Sequence, residues 1–198
     1  MMAWRTTSHQ PVIPLFSLAL PLLLAACVKS EPIALSTQYQ PPSAIAKPAA
    51  SGGGPVCRVQ LGEVVDKRSD AESMGSIGGR TVRAVDSAAW VRSGLESLGA
   101  AGGISLVDTS PDLMLQTELL KGYVMSMASA KTTDVVLRVH ASQRGGSTTD
   151  QIYRGTDTAP NWSAGDGETQ GALNRALAQA LEQLRRDLLG SCAASAKG

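Results

Sequence analysis

The cysteines carry most of the chemistry this sequence offers. There are three, at positions 27, 57 and 192. Cys27 closes the run Leu24-Ala25-Ala26-Cys27, at the end of the 13-residue apolar stretch Val12–Leu24. That stretch follows a weakly basic start carrying Arg5, is too short to span a bilayer comfortably as a helix, and has the length of a secretory signal core. Small residues leading directly into a cysteine form a bacterial lipobox. Residues 1–26 would be removed, diacylglycerol would sit on the Cys27 sulfur, and the freed amine would be acylated, with palmitate as the natural label. Val28 rather than Asp follows the cysteine, which by the usual sorting rule places the anchor in the outer membrane, on its periplasmic face.

With Cys27 assigned to lipid, Cys57 and Cys192 remain, bracketing nearly all of the foldable chain. In an oxidising compartment a leftover pair is usually bridged, and a loop that long contributes about 4–5 kcal/mol in chain-entropy models. A metal pair is disfavoured, because no third or fourth ligand lies near either cysteine.

Other chemistry is sparse. His140 is the sole histidine of the mature chain and falls on the outer side of a strand pattern. A hydrolase would have to use it, with Asp134 as the nearest carboxylate partner, and an exposed strand histidine is the simpler reading. Gly165-Asp166-Gly167-Glu168-Thr169-Gln170-Gly171 opens a helix as a dinucleotide loop would, but its glycine spacing is one residue too long. Asp166 and Glu168 would also repel a pyrophosphate, and they suit the positive end of a helix dipole instead. No P-loop, metal-ligand spacing or acid–base carboxylate pair stands out. The expectation is a non-enzymatic chain without cofactor or metal. The mature chain holds 17 basic and 17 acidic side chains, so its charge gives no argument for nucleic acid. Three features suit binding: the Asp66–Arg80 loop, with Asp66 and Arg68 as candidate partner contacts; Trp162 in a polar loop; and Met114, Met125 and Met127 as a candidate apolar groove.

Certain elements must position these residues. Residues 27–55, rich in Pro and closing on Ser51-Gly52-Gly53-Gly54, read as the lipidated cysteine and a spacer that cannot fold. The domain should span 56–192, with 193–198 a loose tail. A strand over 57–65 puts Cys57, Val59, Leu61 and Val65 on one side. The irregular stretch from Asp66 to Arg80 follows, then a short strand over 81–85. A helix over 87–98, capped by Asp86 or Ser87 and ended by Gly99, sets Ala88, Val91, Leu95 and Leu98 toward a sheet, with Trp90 and Gly94 on a neighbouring face. After a strand over 104–107, residues 112–156 read as an antiparallel meander. Its first strand alternates through Leu113, Leu115, Thr117 and Leu119, and on through Tyr123, Met125 and Met127. Its second places Val135, Leu137, Val139 and Ala141 inward. The last helix, over 169–189, carries the stripe Leu173, Leu177, Ala180, Leu181, Leu184 and Leu188 and ends at Gly190. A Cys57–Cys192 bridge would set both helices on one face of a mainly antiparallel sheet, an α+β two-layer sandwich.

The element order also carries a resemblance. A strand ending Val64-Val65-Asp66-Lys67-Arg68, a Gly-rich loop and a helix bearing Trp90-Val91-Arg92-Ser93-Gly94-Leu95 follow a lipobox and spacer. Over residues 57–190 this resembles YajG-like lipoproteins and the auxiliary lipoproteins of ABC-type transport systems. The resemblance implies a membrane-anchored accessory domain assisting an envelope protein partner in transport or biogenesis. Similar small domains occur in lipoproteins that activate peptidoglycan synthases, a second role within the same binding class. A carrier of lipid or another apolar ligand is a further alternative.

Overall fold

The computed structural model describes residues 31–42, 56–160 and 165–195. Cys27 and Trp162 lie outside them. Eight strands form one mixed sheet, and two helices cover one of its faces. The strands are β1 (Ile33–Leu35), β2 (Cys57–Asp66), β3 (Gly75–Ile77), β4 (Arg80–Ala84), β5 (Ile104–Leu106), β6 (Leu113–Ser126), β7 (Ala130–Gln143) and β8 (Thr148–Pro160); the helices are α1 (Ser87–Glu96) and α2 (Asp166–Ser195). The fold is an α+β sandwich.

Strand β6 is the axis. One of its edges pairs antiparallel with β7 along its length, and β7 pairs with β8, so the meander forms as its alternation predicts. The other edge is shared. Strand β2 runs parallel to the first half of β6 and carries β5 outside it, while β3 takes the second half and carries β4 and β1. This mixture arises because helix α1 crosses between β4 and β5, and the whole meander follows.

Two irregularities shift the side-chain phase. The register of β2 against β6 slips between Leu61 and Val64, so Val64 packs on the core in the place expected of Val65. At this slip a Cβ on Gly62 would stand 2.7 Å from the Leu115 carbonyl oxygen, a separation only glycine tolerates. On β6 the register slips between Leu119 and Lys121. Past it Gly122 and Val124 lie on the buried side, and Tyr123 and Met125 stand on the open face instead of continuing the core row, while Met127 falls in the turn beyond the strand. A one-residue slip exchanges the two faces of a strand, which reading alternation alone does not reveal.

The core lies between sheet and helices. Leu115, Leu119, Leu137 and Val139 meet Leu173, Leu177, Leu181 and Leu184 of α2. Asp86 caps α1 by accepting from the Ala89 N–H at 2.8 Å. The helix buries Trp90, Val91, Gly94 and Leu95, and past Glu96 it tightens into a 3₁₀ turn over Ser97–Ala101 rather than stopping at Gly99. Trp90 and Gly94 form the contact with α2: the indole N–H donates to Asn174 Oδ1 at 2.9 Å, and a Cβ on Gly94 would lie 2.9 Å from Leu177 Cδ2. Gly155 lets α2 lie directly on β8, since a Cβ there would overlap the Ala176 carbonyl.

Three boundaries differ from expectation. Helix α2 passes through Gly190 to Ser195, so residues 193–195 belong to its last turn, which the Cys57–Cys192 bridge holds against the sheet. The 66–80 stretch is not one long irregular loop. It folds into β3 and β4, because Met74 and Ile77 are buried and Gly78 and Gly79 supply the positive-φ turn between the strands. The expected spacer contains β1, which pairs parallel with β4 and buries Ile33 and Leu35, with Tyr39 inserted behind it. Three well-spaced apolar side chains suffice there because the sheet edge they meet is already built.

Candidate functional site

The charged residues singled out at the end of β2 form an internal clamp. The Arg68 side chain is only 4% exposed. Its Nε and Nη2 donate to Asp66 Oδ1 at 3.0 Å and Oδ2 at 2.7 Å, the bidentate geometry that suits a planar guanidinium. Its remaining donors go to the carbonyls of Ser73 at 2.9 Å and Ala71 at 2.8 Å, and to Ser87 Oγ at 3.1 Å. Ser87 in turn donates to Asp66 Oδ2 at 2.5 Å. Burial alone would raise the Asp66 pKa; the hydrogen bonds from Arg68 and Ser87 outweigh it and hold the carboxyl below its ordinary range. The clamp therefore folds the 66–75 loop onto the start of α1. Asp66 and Arg68, expected as partner contacts, spend their polar groups inside the chain. Ser87 is the member that sequence reasoning assigned only to capping.

A second cluster joins the start of α2 to the meander. Lys131, fully buried on β7, reaches Glu168 at 3.2 Å. Arg175 meets Glu168 at 2.9 Å and Asp157 at 3.0 Å. Burial pushes Glu168 upward, and Arg175 and Lys131 more than reverse this, leaving its pKa lowered. Glu168 was expected to serve the helix dipole; its stronger partners are these two cations. Nothing in the spacing of residues 131, 157, 168 and 175 foretells the cluster, because it is assembled across three elements.

The face of the sheet away from the helices is open. Glu118, Arg138, His140 and Asp150 form a ladder across β6, β7 and β8, with Arg138 at 3.2 Å from Glu118 and His140 Nδ1 at 3.5 Å from Asp150. The carboxylate beside His140 is thus Asp150; Asp134 pairs with Lys121 at 2.7 Å. Among the described residues no serine hydroxyl bonds to His140, and no group of three or more His, Cys, Asp or Glu side chains is placed to hold a metal. Met114 and Met125 are half exposed on this face, and Met127 is half exposed in the turn that follows β6. They do not line one groove, because the 11 residues from Met114 to Met125 along β6 separate them by roughly 35 Å.

Cys57 and Cys192 are joined, with 5.6 Å between their Cα atoms, at the end of the sheet where β2 begins and α2 finishes. Beside them, Val56, Asp112, Arg144 and Cys192 line a shallow cleft.

The fold so described has a solved counterpart. The chain is similar to protein XCC0632 from Xanthomonas campestris, of the DUF330 family. The TM-score is 0.57 at 12% identity, over 84% of this chain and 98% of that one. At that identity the likeness shows a shared fold. Weaker likenesses include the hypothetical protein CT253 from Chlamydia trachomatis, with a TM-score of 0.45 at 9% identity over 69% of this chain and 95% of that one. A putative lipoprotein from Caulobacter crescentus gives 0.42 at 12% identity over 67% and 91%. No family model matches the sequence, and no curated protein does.

Proposed function

We propose that this chain is a lipid-anchored, non-enzymatic accessory domain of the bacterial cell envelope, which binds an envelope protein in a transport or biogenesis assembly. The observation that carries the reading is the lipobox at residues 24–27 preceding a domain whose two remaining cysteines are bridged. An acylated Cys27 would hold the chain to a membrane, and the bridge suits an oxidising periplasm. In the clamp and in the Lys131 cluster the charges pair with one another, which supports a structural role for both. Among the described residues, the open sheet face, with its ladder of paired charges flanked by Tyr123 and Ile152, offers a surface for a protein partner.

Two measurements test this. Cys27→Ser should abolish incorporation of labelled palmitate; persistent labelling overturns the anchor. Photo-crosslinkers placed in cells at Met114 and Ile152 should capture one identified envelope protein, whereas probes at Asp70 in the loop should not. A diffuse ladder of products from the sheet face overturns its role as the contact surface. The outer membrane as destination follows from Val28 and is tested by density-gradient separation of the two membranes. Replacing His140 by Ala should leave complementation of a deletion strain intact; loss of complementation would favour the hydrolase reading.

A further inference from the structure

The place where the N-terminal segment docks determines which end of the domain meets the bilayer. Residues 31–42 are strapped to the sheet and helices. The Glu31 carbonyl accepts from Arg80 Nε at 2.8 Å, and Arg80 also pairs with Asp166 at 3.0 Å. The Ser36 N–H donates to Gln170 Oε1 at 2.8 Å. Tyr39 is buried and its N–H reaches Ser93 Oγ at 3.2 Å.

The strand directions then fix an end. Strand β1 is parallel to β4, β4 is antiparallel to β3, and β3 is parallel to β6, so β1 begins where β6 finishes. At that same end lie the Gly78-Gly79 turn, the β6–β7 turn at 127–129 and the first residues of α2. The disulfide and the β7–β8 turn at Gly145 lie at the opposite end, roughly 45 Å away along the 14 residues of β6.

We propose that the end bearing the β6–β7 turn rests on the lipid surface, held there by a tether of only four residues. The inference depends on acylation of Cys27. Even fully extended, the chain from Cys27 to Glu31 spans no more than about 14 Å. The Pro- and Gly-rich segment 43–55 is not part of that tether. It joins Pro42, which shares a cleft with Gln170 and Arg175 near the start of α2, to Val56 at the disulfide end. A 28-residue spacer, fully extended, would let the domain stand roughly 95 Å from the anchor; the docked strap forbids it. Met127, 53% exposed at the turn, is the side chain placed to enter the interfacial layer. The partner is then one that lies at the membrane surface.

The test uses the full-length acylated protein in vesicles of phosphatidylethanolamine and phosphatidylglycerol containing a headgroup-labelled acceptor lipid. Donor dyes go on Ala128→Cys or Gly145→Cys. The Ala128 probe should transfer at least about twofold more efficiently, given the length of the sheet between the two sites. A 20-residue Gly/Ser insert after Ser30 should erase that difference, since it adds a root-mean-square reach of roughly 25 Å. The same insert after Gly53 should leave it unchanged. Equal or reversed transfer on vesicle-bound protein, or equal effects of the two inserts, overturns the proposal while the anchor stands. Protein that washes off the vesicles because Cys27 carries no acyl chain overturns both.

Discussion

The contact of α2 with β8 yields the sharpest quantitative prediction. An ideal Cβ on Gly155 would overlap the Ala176 carbonyl oxygen and lie 2.8 Å from its carbon. Both are backbone atoms in the middle of a 30-residue helix, so no rotamer change relieves them. Real contacts of this kind do not fall below 3.0 Å, so Gly155→Ala must lift the helix from the strand by more than about 1 Å, opening a close-packed core. The cost falls at the upper end of the overpacking range, about 3 kcal/mol or more. For a domain of this size that lowers the melting temperature by roughly 10 °C. Two other substitutions of the same type calibrate it. At Gly94 the nearest atoms are the ends of Leu177 and Leu181, at 2.9 and 3.1 Å. They can rotate away, and the gain in helix propensity offsets most of the cost, for a net loss of about 0–1 kcal/mol. At Gly190 nothing lies within 4 Å. Because α2 continues through that position, Gly190→Ala should stabilise by about 0.5–1 kcal/mol. The assay is urea denaturation of the unlipidated Cys27→Ser chain followed by circular dichroism. A Gly155→Ala variant within 1 kcal/mol of the parent, or a destabilising Gly190→Ala, would refute the reasoning.

Three further outcomes follow from other contacts. Replacing both Cys57 and Cys192 by Ser opens a loop of sequence separation 135 and should cost about 5 kcal/mol in the chain-entropy model; a denaturation midpoint unmoved by reductant would contradict it. Asp66→Asn leaves the buried Arg68 guanidinium without its countercharge, and should cost about 3 kcal/mol at neutral pH. Because the folded-state pKa values of Asp66 and Glu168 are lowered, their contribution is present above the unfolded value near 4. It is lost as pH falls through that value toward the folded one. Stability should therefore drop below about pH 5, and the drop should be shallower in Asp66→Asn; identical acid profiles would show that Asp66 is not depressed. Burial pushes the Tyr39 hydroxyl up to about 12, so its ultraviolet titration should lie above that of a free tyrosine, near 10. Ile33→Asp, which undocks the strap, should return it to about 10. An unshifted Tyr39 in the parent protein would mean that the strap is not docked.

The chain's own pattern was enough to place most of the architecture. Period-2 alternation over 113–119 and 132–142 announced the meander, the stripe from Leu173 to Leu188 announced α2, and the two cysteines left after Cys27 marked where sheet and helix had to meet. These are local signals: each element shows its buried face in its own residues. The Leu24–Cys27 run is local in the same sense, since it is read as a linear motif. What only the tertiary structure decided is what depends on distant partners. The slips beside Leu61 and Leu119 arise from register against a neighbouring strand, so Tyr123 and Met125 moved to the open face though their spacing continued the inner row. Asp66 and Arg68, charged and beside glycines, read as a partner surface; Ser87, 19 residues beyond Arg68, turned them into a clamp. Ile33, Leu35 and Tyr39 are too few to fold alone and sit among prolines, so composition assigned them to a spacer. The edge of β4, some fifty residues away in the chain, gave them a place to bury.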